Sequence, residues 1–191
     1  MPEVVEHASA LDSLVRRATA AAEIEDGALS DAVARLLAAE AIRNLGCLYS
    51  RAVDDREHET LVHLFTEDGS FVRRGVRTQG RDALRTMWQA SARRYAFTRH
   101  MTYNHVVVPD GPDTAVGWAA GQAELALDGG ETLLAAYRYD DRYARPADRW
   151  LFQERVLSFS YVLPVTDLSG RLGAPERVRW PGEAPDRGEF P

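Results

Sequence analysis

The sequence predicts an α+β fold in which helices come first and one antiparallel sheet follows. Up to about residue 95, apolar side chains recur mainly at helical spacing. Four longer runs rich in aromatic and β-branched residues then follow, separated by short turn sequences. Connections this short join antiparallel strands, because a parallel crossover needs about a dozen residues or more. This order of elements favours separate helical and sheet layers.

Length, charge and hydropathy limit the class of protein. At 191 residues, the chain suits one domain with short extensions. Its net charge of −6 argues against nucleic acid and anionic membrane as partners. No apolar run reaches the roughly 20 residues of a membrane helix, and the N-terminus lacks the basic region of a signal peptide, so we expect a cytoplasmic protein. We predict an N-terminal helical extension (1–29), a central domain (30–163) and a C-terminal tail (164–191).

Four helices are predicted from their caps and from the residues that break them. They span residues 7–25, 30–53, 57–65 and 81–95. Ser30 is a good N-cap for the longest helix. The apolar positions of that helix keep roughly the helical period: Val33, Leu36, Leu37, Ile42, Leu45, Leu48 and Ala52. We expect residues 67–69 to form a turn before a short strand that begins at Ser70, and residues 75–80 to form a loop.

The four long strands are predicted at residues 97–108, 114–127, 132–145 and 150–161. Because side chains alternate between the two faces of a strand, we expect His100 to share a face with Thr102 and Asn104. One face of the second strand carries small residues that leave room for a helix or a ligand: Gly117, Ala119, Gly121 and Ala123. The Pro- and Gly-rich tail is expected to be extended or partly disordered, and to be available to wrap a neighbour.

Two titratable residues are candidates for acid–base chemistry. His100 lies near the start of a long strand, where an imidazole facing a pocket can transfer protons near neutral pH. Asp54 follows the predicted end of the long helix, and Tyr49 precedes it within that helix. On a straight helix these two side chains would diverge by about 140°, so they converge only if the helix ends near Val53. We predict that Asp54 and His100 meet inside a cavity and move protons on a small organic substrate.

Four segments together resemble the SnoaL-like branch of the NTF2-like superfamily. They read AIRNLGCLYSRAVDDREHETLVHLFTEDGSF, GRDAL, TRHMTYNHVV and YRYDDRYARPADRWLFQERV. The resemblance covers about residues 36–161, and it depends on the order and spacing of the motifs. It implies a cone, in which a strongly curved antiparallel sheet wraps around the helices and leaves a pocket at the open end.

The resemblance also implies roles for single residues. Asp54 and His100 match the aspartate and the histidine of the family's dehydratases, while Tyr49 and Arg155 match a tyrosine and an arginine of its bile acid dehydratase. We predict Asp54, His100 and Tyr49 as catalytic residues. The predicted substrate-binding residues are Arg155, Asn104 and Tyr139.

One position departs from the family pattern. The dehydratases carry a histidine or an aspartate on the second of the long strands, near Leu125 or Ala123 in this sequence. The nearest polar residues here are Gln122 and Glu124, so the acid or base of that strand is missing or replaced.

The resemblance implies a cofactor-free dehydratase or isomerase that uses Asp–His general acid–base catalysis on a small cyclic or polyketide-like metabolite. Two alternatives stay open: a natural-product cyclase that closes a ring by aldol chemistry or epoxide opening, and a non-catalytic module that binds small molecules. A binder does not need a buried charged pair, so Asp54 together with His100 favours the enzymes. The family commonly assembles through its open sheet face, and we expect a homodimer, with a trimer as the second choice.

Several other chemistries are excluded or not expected. All 23 basic residues are arginine, so Schiff-base chemistry on a lysine is excluded. Cys47 is the single cysteine, which leaves neither an intrachain disulfide nor a cysteine-based metal site. His58, His63 and His105 lack partners at metal-ligand spacing, so we expect no metal. The sequence has no dinucleotide or P-loop motif, so we expect no redox or nucleotide cofactor.

Overall fold

The computed structural model describes residues 28–190, and within them helices precede a six-stranded sheet. The α-helices are α1 (Leu29–Asp54), α2 (His58–His63), α3 (Arg81–Ala92) and α4 (Leu168–Arg171). The strands are β1 (Phe65–Arg73), β2 (Val76–Gln79), β3 (Tyr95–Pro109), β4 (Thr114–Leu127), β5 (Thr132–Ala144) and β6 (Leu151–Pro164). The predicted helix at residues 7–25 lies outside the described residues.

The sheet is curved and unclosed, with the strand order β2-β1-β6-β5-β4-β3. Strands β3 to β6 form an antiparallel meander, as their short connections predicted. Strand β1 instead pairs in parallel with β6, because a long stretch of chain separates the two and no short connection constrains their direction. The α+β fold class is therefore confirmed.

Helix α1 packs one face against the sheet and leaves much of its N-terminal half exposed. Its buried residues recur every three or four positions: Ala39, Ile42, Leu45, Gly46, Tyr49 and Ala52. Of the predicted apolar stripe, Val33, Leu36, Leu37 and Leu48 are exposed instead. The prediction of Ser30 as the N-cap is wrong, because the helix starts earlier, with the Ala32 amide donating to the Ala28 carbonyl at 3.0 Å.

The region between α2 and α3 forms a hairpin rather than the predicted turn and loop. Residues 67–69 lie within β1, at an irregularity in its pairing with β6, so the predicted turn is wrong. The predicted loop at residues 75–80 contains β2, which pairs with β1 across the two-residue connection Arg74-Gly75. Both connecting residues have positive φ, at 51° and 74°, which allows a two-residue turn to match the right-handed twist of the two strands.

A β-bulge in β3 changes which residues face the interior. Thr102 pairs with Gly121 and Asn104 pairs with Ala120, so β3 uses one residue more than β4 at Tyr103. Beyond the bulge the faces are exchanged, and Asn104 is exposed. The prediction that Asn104 shares a face with His100 is therefore wrong.

Tyrosines of β5 use the space that the small residues of β4 leave open. A Cβ at Gly117 would lie 2.8 Å from the Tyr143 ring. A Cβ at Gly121 would lie 2.2 Å from the Met101 carbonyl oxygen and 2.6 Å from the Tyr137 hydroxyl. The predicted row of small residues thus allows large aromatic side chains to pack inside the cone.

Replacing Gly121 with alanine is expected to lower the free energy of unfolding by about 1–3 kcal/mol or more, because a backbone carbonyl cannot move away from the added methyl group. Urea unfolding measures the change. The matched control is Gly129→Ala, whose added Cβ would meet nothing within 4 Å. Equal stability of both variants would show that β3 and β4 separate readily at this point.

The C-terminal residues fold back onto β6 of the same chain rather than extending away from it. Val178 bridges to Val162, the Arg177 guanidinium donates to the Ser160 carbonyl at 2.8 Å, and Glu189 accepts the Phe159 amide. Trp180 is buried by this path, with 4% of its surface exposed. Within the described part of the chain, no helix has the length and apolarity needed to span a membrane.

Candidate active site

A cavity of about 130 Å³ opens between the concave face of the sheet and the helices. Its walls are mainly apolar and aromatic, and they include Tyr49, Trp88, Thr98, His100, Tyr137 and Tyr139. Helix α1 supplies Tyr49, while the start of β3 supplies Thr98 and His100. The chain thus surrounds one imidazole with a largely nonpolar space, where electrostatic interactions are stronger than in water.

The structure brings Asp54 and His100 into direct contact. Asp54 is the last residue of α1, and its Oδ1 lies 2.6 Å from Nδ1 of His100. The same carboxylate accepts the backbone N–H of His100 at 2.8 Å and the Thr98 hydroxyl at 3.0 Å. Three hydrogen bonds from β3 therefore fix the carboxylate and, through it, the imidazole ring.

This contact determines which imidazole nitrogen is available to a ligand. A carboxylate accepts hydrogen bonds, so neutral His100 carries its proton on Nδ1 and its lone pair on Nε2. No hydrogen bond from residues 28–190 engages Nε2, and His100 lines the cavity. The arrangement can therefore present a base to a molecule held in the cavity.

Tyr49 and Tyr139 line the cavity but belong to an aromatic cluster. The Tyr49 ring lies 5.8 Å from the Tyr139 ring and 5.6 Å from the Phe152 ring, measured between centroids. Burial raises the pKa of both tyrosines, so their hydroxyl groups stay protonated at neutral pH. These positions suit proton donation or packing, and the predicted roles of both residues stay predictions.

Tyr137 has a buried hydroxyl group that makes no well-directed hydrogen bond in the described structure, although the Thr102 side chain lies within reach of a weak one. Its ring centroid lies 6.0 Å from that of His100, and both residues line the cavity. Burial raises the pKa of Tyr137 to about 12, an effect that nearby Thr102 opposes in part. Since buried hydroxyl groups nearly always find partners, this one is a candidate donor to a ligand.

Arg155 is buried beneath the cavity rather than exposed in it. Only 1% of its surface is exposed, and its Nε and Nη2 donate to the two Asp141 oxygens at 2.9 and 2.8 Å. The rings of Tyr49, Tyr139 and Phe152 lie within 4.2 Å of its guanidinium carbon, measured to their centroids. Burial disfavours the charge, but pairing with Asp141 outweighs it and raises the pKa of Arg155. Direct substrate binding by Arg155 therefore finds no support in its position.

The Asp141 carboxylate also connects Arg155 to a second histidine. Tyr143 donates its hydroxyl hydrogen to Asp141 at 2.8 Å, and Nε2 of His105 lies 3.0 Å from the Tyr143 oxygen. Burial lowers the pKa of His105 to about 4, so this ring is neutral at pH 7 and its Nε2–H donates to Tyr143. The network satisfies buried polar groups and leaves Asp54 and His100 as the pair beside the cavity.

The position of the missing acid or base on β4 is apolar. Ala123 pairs with His100 on one side and with Ala135 of β5 on the other, and both alanines line the cavity. Gln122 points elsewhere, where its side-chain amide donates to the Tyr161 hydroxyl at 2.7 Å. Asn104, exposed beyond the bulge, does not line the cavity.

Sequence reasoning missed Arg73 and Trp180, which also line the cavity. A signal for Arg73 was present, because it lies two residues after Phe71 and so shares its buried strand face. Trp180 carried no such signal, since its position depends on how the C-terminal residues fold back. The described residues contain no group of three His, Cys, Asp or Glu side chains able to hold a metal ion.

Comparison with known proteins gives a family match. The family model for the SnoaL-like domain matches residues 34–156. No curated protein matches the sequence significantly. One similar solved structure is that of a variant of Rv3472, a function-unknown protein from Mycobacterium tuberculosis, which is 30% identical in sequence. The match covers 70% of this chain and 77% of the Rv3472 chain, with a TM-score of 0.61.

Two further solved structures are similar in fold. A candidate scytalone dehydratase from Novosphingobium aromaticivorans is 21% identical, with 67% of this chain and 87% of its own covered and a TM-score of 0.64. A hexachlorocyclohexane dehydrochlorinase, LinA-type3 from Novosphingobium barchaimii, is 20% identical. The match covers 70% of this chain and 93% of the dehydrochlorinase, with a TM-score of 0.65. At this level of identity, the similarity demonstrates a common fold alone.

Proposed function

The chain belongs to the SnoaL-like domain family, and on that premise we propose a cofactor-free dehydratase or isomerase in which Asp54 and His100 transfer protons on a small cyclic or polyketide-like metabolite. The supporting observation is the 2.6 Å contact between Asp54 Oδ1 and His100 Nδ1 beside a mainly apolar cavity. Two similar structures bear the names of eliminating enzymes, a dehydratase and a dehydrochlorinase, which agrees with this class.

In the proposed reaction, Nε2 of His100 removes a proton from the carbon next to a substrate carbonyl. The electron pair of the broken C–H bond moves toward the carbonyl and forms an enolate. The resulting imidazolium, held by Asp54, then donates the proton to a leaving hydroxyl on the same face. Water departs and a C=C bond forms. Return of the proton to a different carbon gives isomerisation instead.

A hydroxyl donor near His100 would stabilise the enolate oxygen. The sequence analysis predicted Tyr49 as a catalytic residue, and its hydroxyl is one candidate for this role, but the position of Tyr137 supports that residue better. The Tyr137 hydroxyl has only a weak interaction with Thr102 within the described chain, and its ring centroid lies 6.0 Å from that of the imidazole. The raised pKa keeps its proton available for donation at neutral pH.

The alternatives use the same residues differently. A cyclase would use the enolate as a carbon nucleophile, or His100 as an acid that opens an epoxide. A non-catalytic binder would retain the cavity, but the desolvation of Asp54 beside His100 would then have no chemical purpose. The homodimer, the trimer alternative and the cytoplasmic location remain predictions.

Deuterium uptake by candidate carbonyl compounds tests the proposal before the true substrate is known. Cyclic ketones and β-hydroxy carbonyl compounds are incubated with the protein in D₂O, and mass spectrometry follows them. We expect enzyme-dependent deuterium uptake next to the carbonyl in compounds that fit the cavity, and loss of one water where a β-hydroxyl is present. A compound that binds tightly but neither exchanges nor changes mass would favour the binding module.

A further inference from the structure

Arg73 places a positive charge at the wall of the cavity, away from His100. It is the last residue of β1, and strands β6, β5 and β4 lie between β1 and the strand that carries His100. Its guanidinium carbon lies 4.7 Å from the centroid of Trp180 and 5.6 Å from that of Phe159. The group is thus held against aromatic rings that also line the cavity.

No carboxylate within residues 28–190 forms an ion pair with Arg73. Glu183, an acidic residue close to it, is bound instead by Arg74 at 2.5 Å. Burial lowers the pKa of Arg73, and Arg94 and Arg74 act in the same direction, while Tyr95 and Glu183 oppose the shift without reversing it. By contrast, the buried guanidinium of Arg155 has a two-point pairing with Asp141. A partly desolvated cation that is not paired with a carboxylate is less favourable than one in a two-point ion pair, so Arg73 keeps a capacity to bind an anion.

Trp180, which stacks with Arg73 on the same wall, has an unpartnered donor. The indole is 96% buried, since only 4% of its surface is exposed, and its Nε1–H meets no acceptor among the described residues. A buried N–H without an acceptor is rare in native proteins. Arg56, the second arginine at the cavity, differs because it donates to the backbone carbonyls of Tyr95 and Ala96.

We propose that the cavity binds a substrate that carries a carboxylate, with Arg73 as its counter-ion. A single guanidinium matches a monoanion, and the apolar walls fit a compact ring system. Calling this ligand a substrate rests on the function proposed above. In that case its carboxylate lies at Arg73 and its reacting end lies at His100. The anion site itself is a matter of binding, so it can be tested without turnover.

Isothermal titration calorimetry with 2-naphthoate and its uncharged amide, 2-naphthamide, tests the anion site. We expect wild-type protein to bind the carboxylate at least about tenfold more tightly than the amide, because one charge-assisted hydrogen bond contributes enough free energy for that difference in affinity. Arg73→Met is expected to remove this preference and Arg73→Lys to retain part of it. Arg142→Met is the matched control, because Arg142 is an exposed arginine of β5 that does not line the cavity.

Equal affinities for the two probes in wild-type protein would overturn the proposal, and so would failure of the carboxylate to bind at millimolar concentration. Retention of the full preference by Arg73→Met would overturn it as well. Repeating the titration with His100→Gln separates this proposal from the catalytic one. An unchanged preference in that variant supports the anion site whether or not His100 proves to be catalytic.

Discussion

Substituting Asp54 with asparagine or His100 with glutamine is expected to lower turnover by about 10²–10⁴, the usual contribution of general acid–base catalysis. Glutamine keeps a polar side chain of similar length but cannot accept a proton near neutral pH. Asparagine can hydrogen-bond to the imidazole, but it cannot stabilise the imidazolium by charge, and its amide can select the wrong tautomer. Turnover is measured on the carbonyl compound that shows the fastest deuterium uptake.

The matched control for this experiment is His63→Gln. His63 is an exposed histidine at the end of α2, and its Nδ1 lies 2.9 Å from the Glu59 carbonyl oxygen, outside the cavity. All three variants should retain the wild-type fold by circular dichroism. If Asp54→Asn or His100→Gln turned over at the wild-type rate, the two residues would not be the catalytic pair, and other residues would have to transfer the proton.

Substituting Arg155 with methionine is expected to lower the free energy of unfolding by about 3–5 kcal/mol, because it leaves Asp141 buried without its counter-ion. Urea unfolding at pH 7 measures the loss. The double variant Arg155→Met with Asp141→Leu should recover much of it, since replacing both charges removes the uncompensated one. Tyr143 then loses its acceptor, so we expect recovery to be incomplete.

This prediction also tests the role of Arg155. Its donors to Asp141 and the three aromatic rings around it leave no direct path to a ligand. Any effect of Arg155→Met on catalysis should therefore follow loss of stability or displacement of Tyr49 and Tyr139. If Arg155→Met were as stable as wild type but lost substrate affinity, the role suggested by the family resemblance would be restored.

Local chemistry was sufficient to predict the four-stranded meander, and the family resemblance was needed as well to predict the central pair of residues. Strand runs separated by short turns permit one antiparallel arrangement, so β3 to β6 could be predicted from spacing and turn residues. The end of α1 at Asp54 followed from the same kind of local signal. Family resemblance then related Asp54 to His100, and the structure brings the two side chains into contact.

The errors arise where long-range contacts decide the conformation. The bulge at Tyr103 depends on pairing between β3 and β4, and period-two alternation in the sequence cannot reveal an extra residue. For the same reason the interior position of His105 was missed. Strand β2 was missed because a hairpin of four paired residues has little hydrophobic pattern, with Arg77, Thr78 and Gln79 in sequence.

Two alanines of the cavity wall have a consequence for how the substrate range of such proteins diverges. Ala123 pairs with His100, Ala135 pairs with Ala123 on the next strand, and neither takes part in the hydrogen bonds that fix the imidazole ring. A valine or phenylalanine at either position would reduce the space in the cavity without altering the proton-transfer groups. Selection for a different molecular shape can therefore act at positions 123 and 135 while the reaction chemistry is preserved.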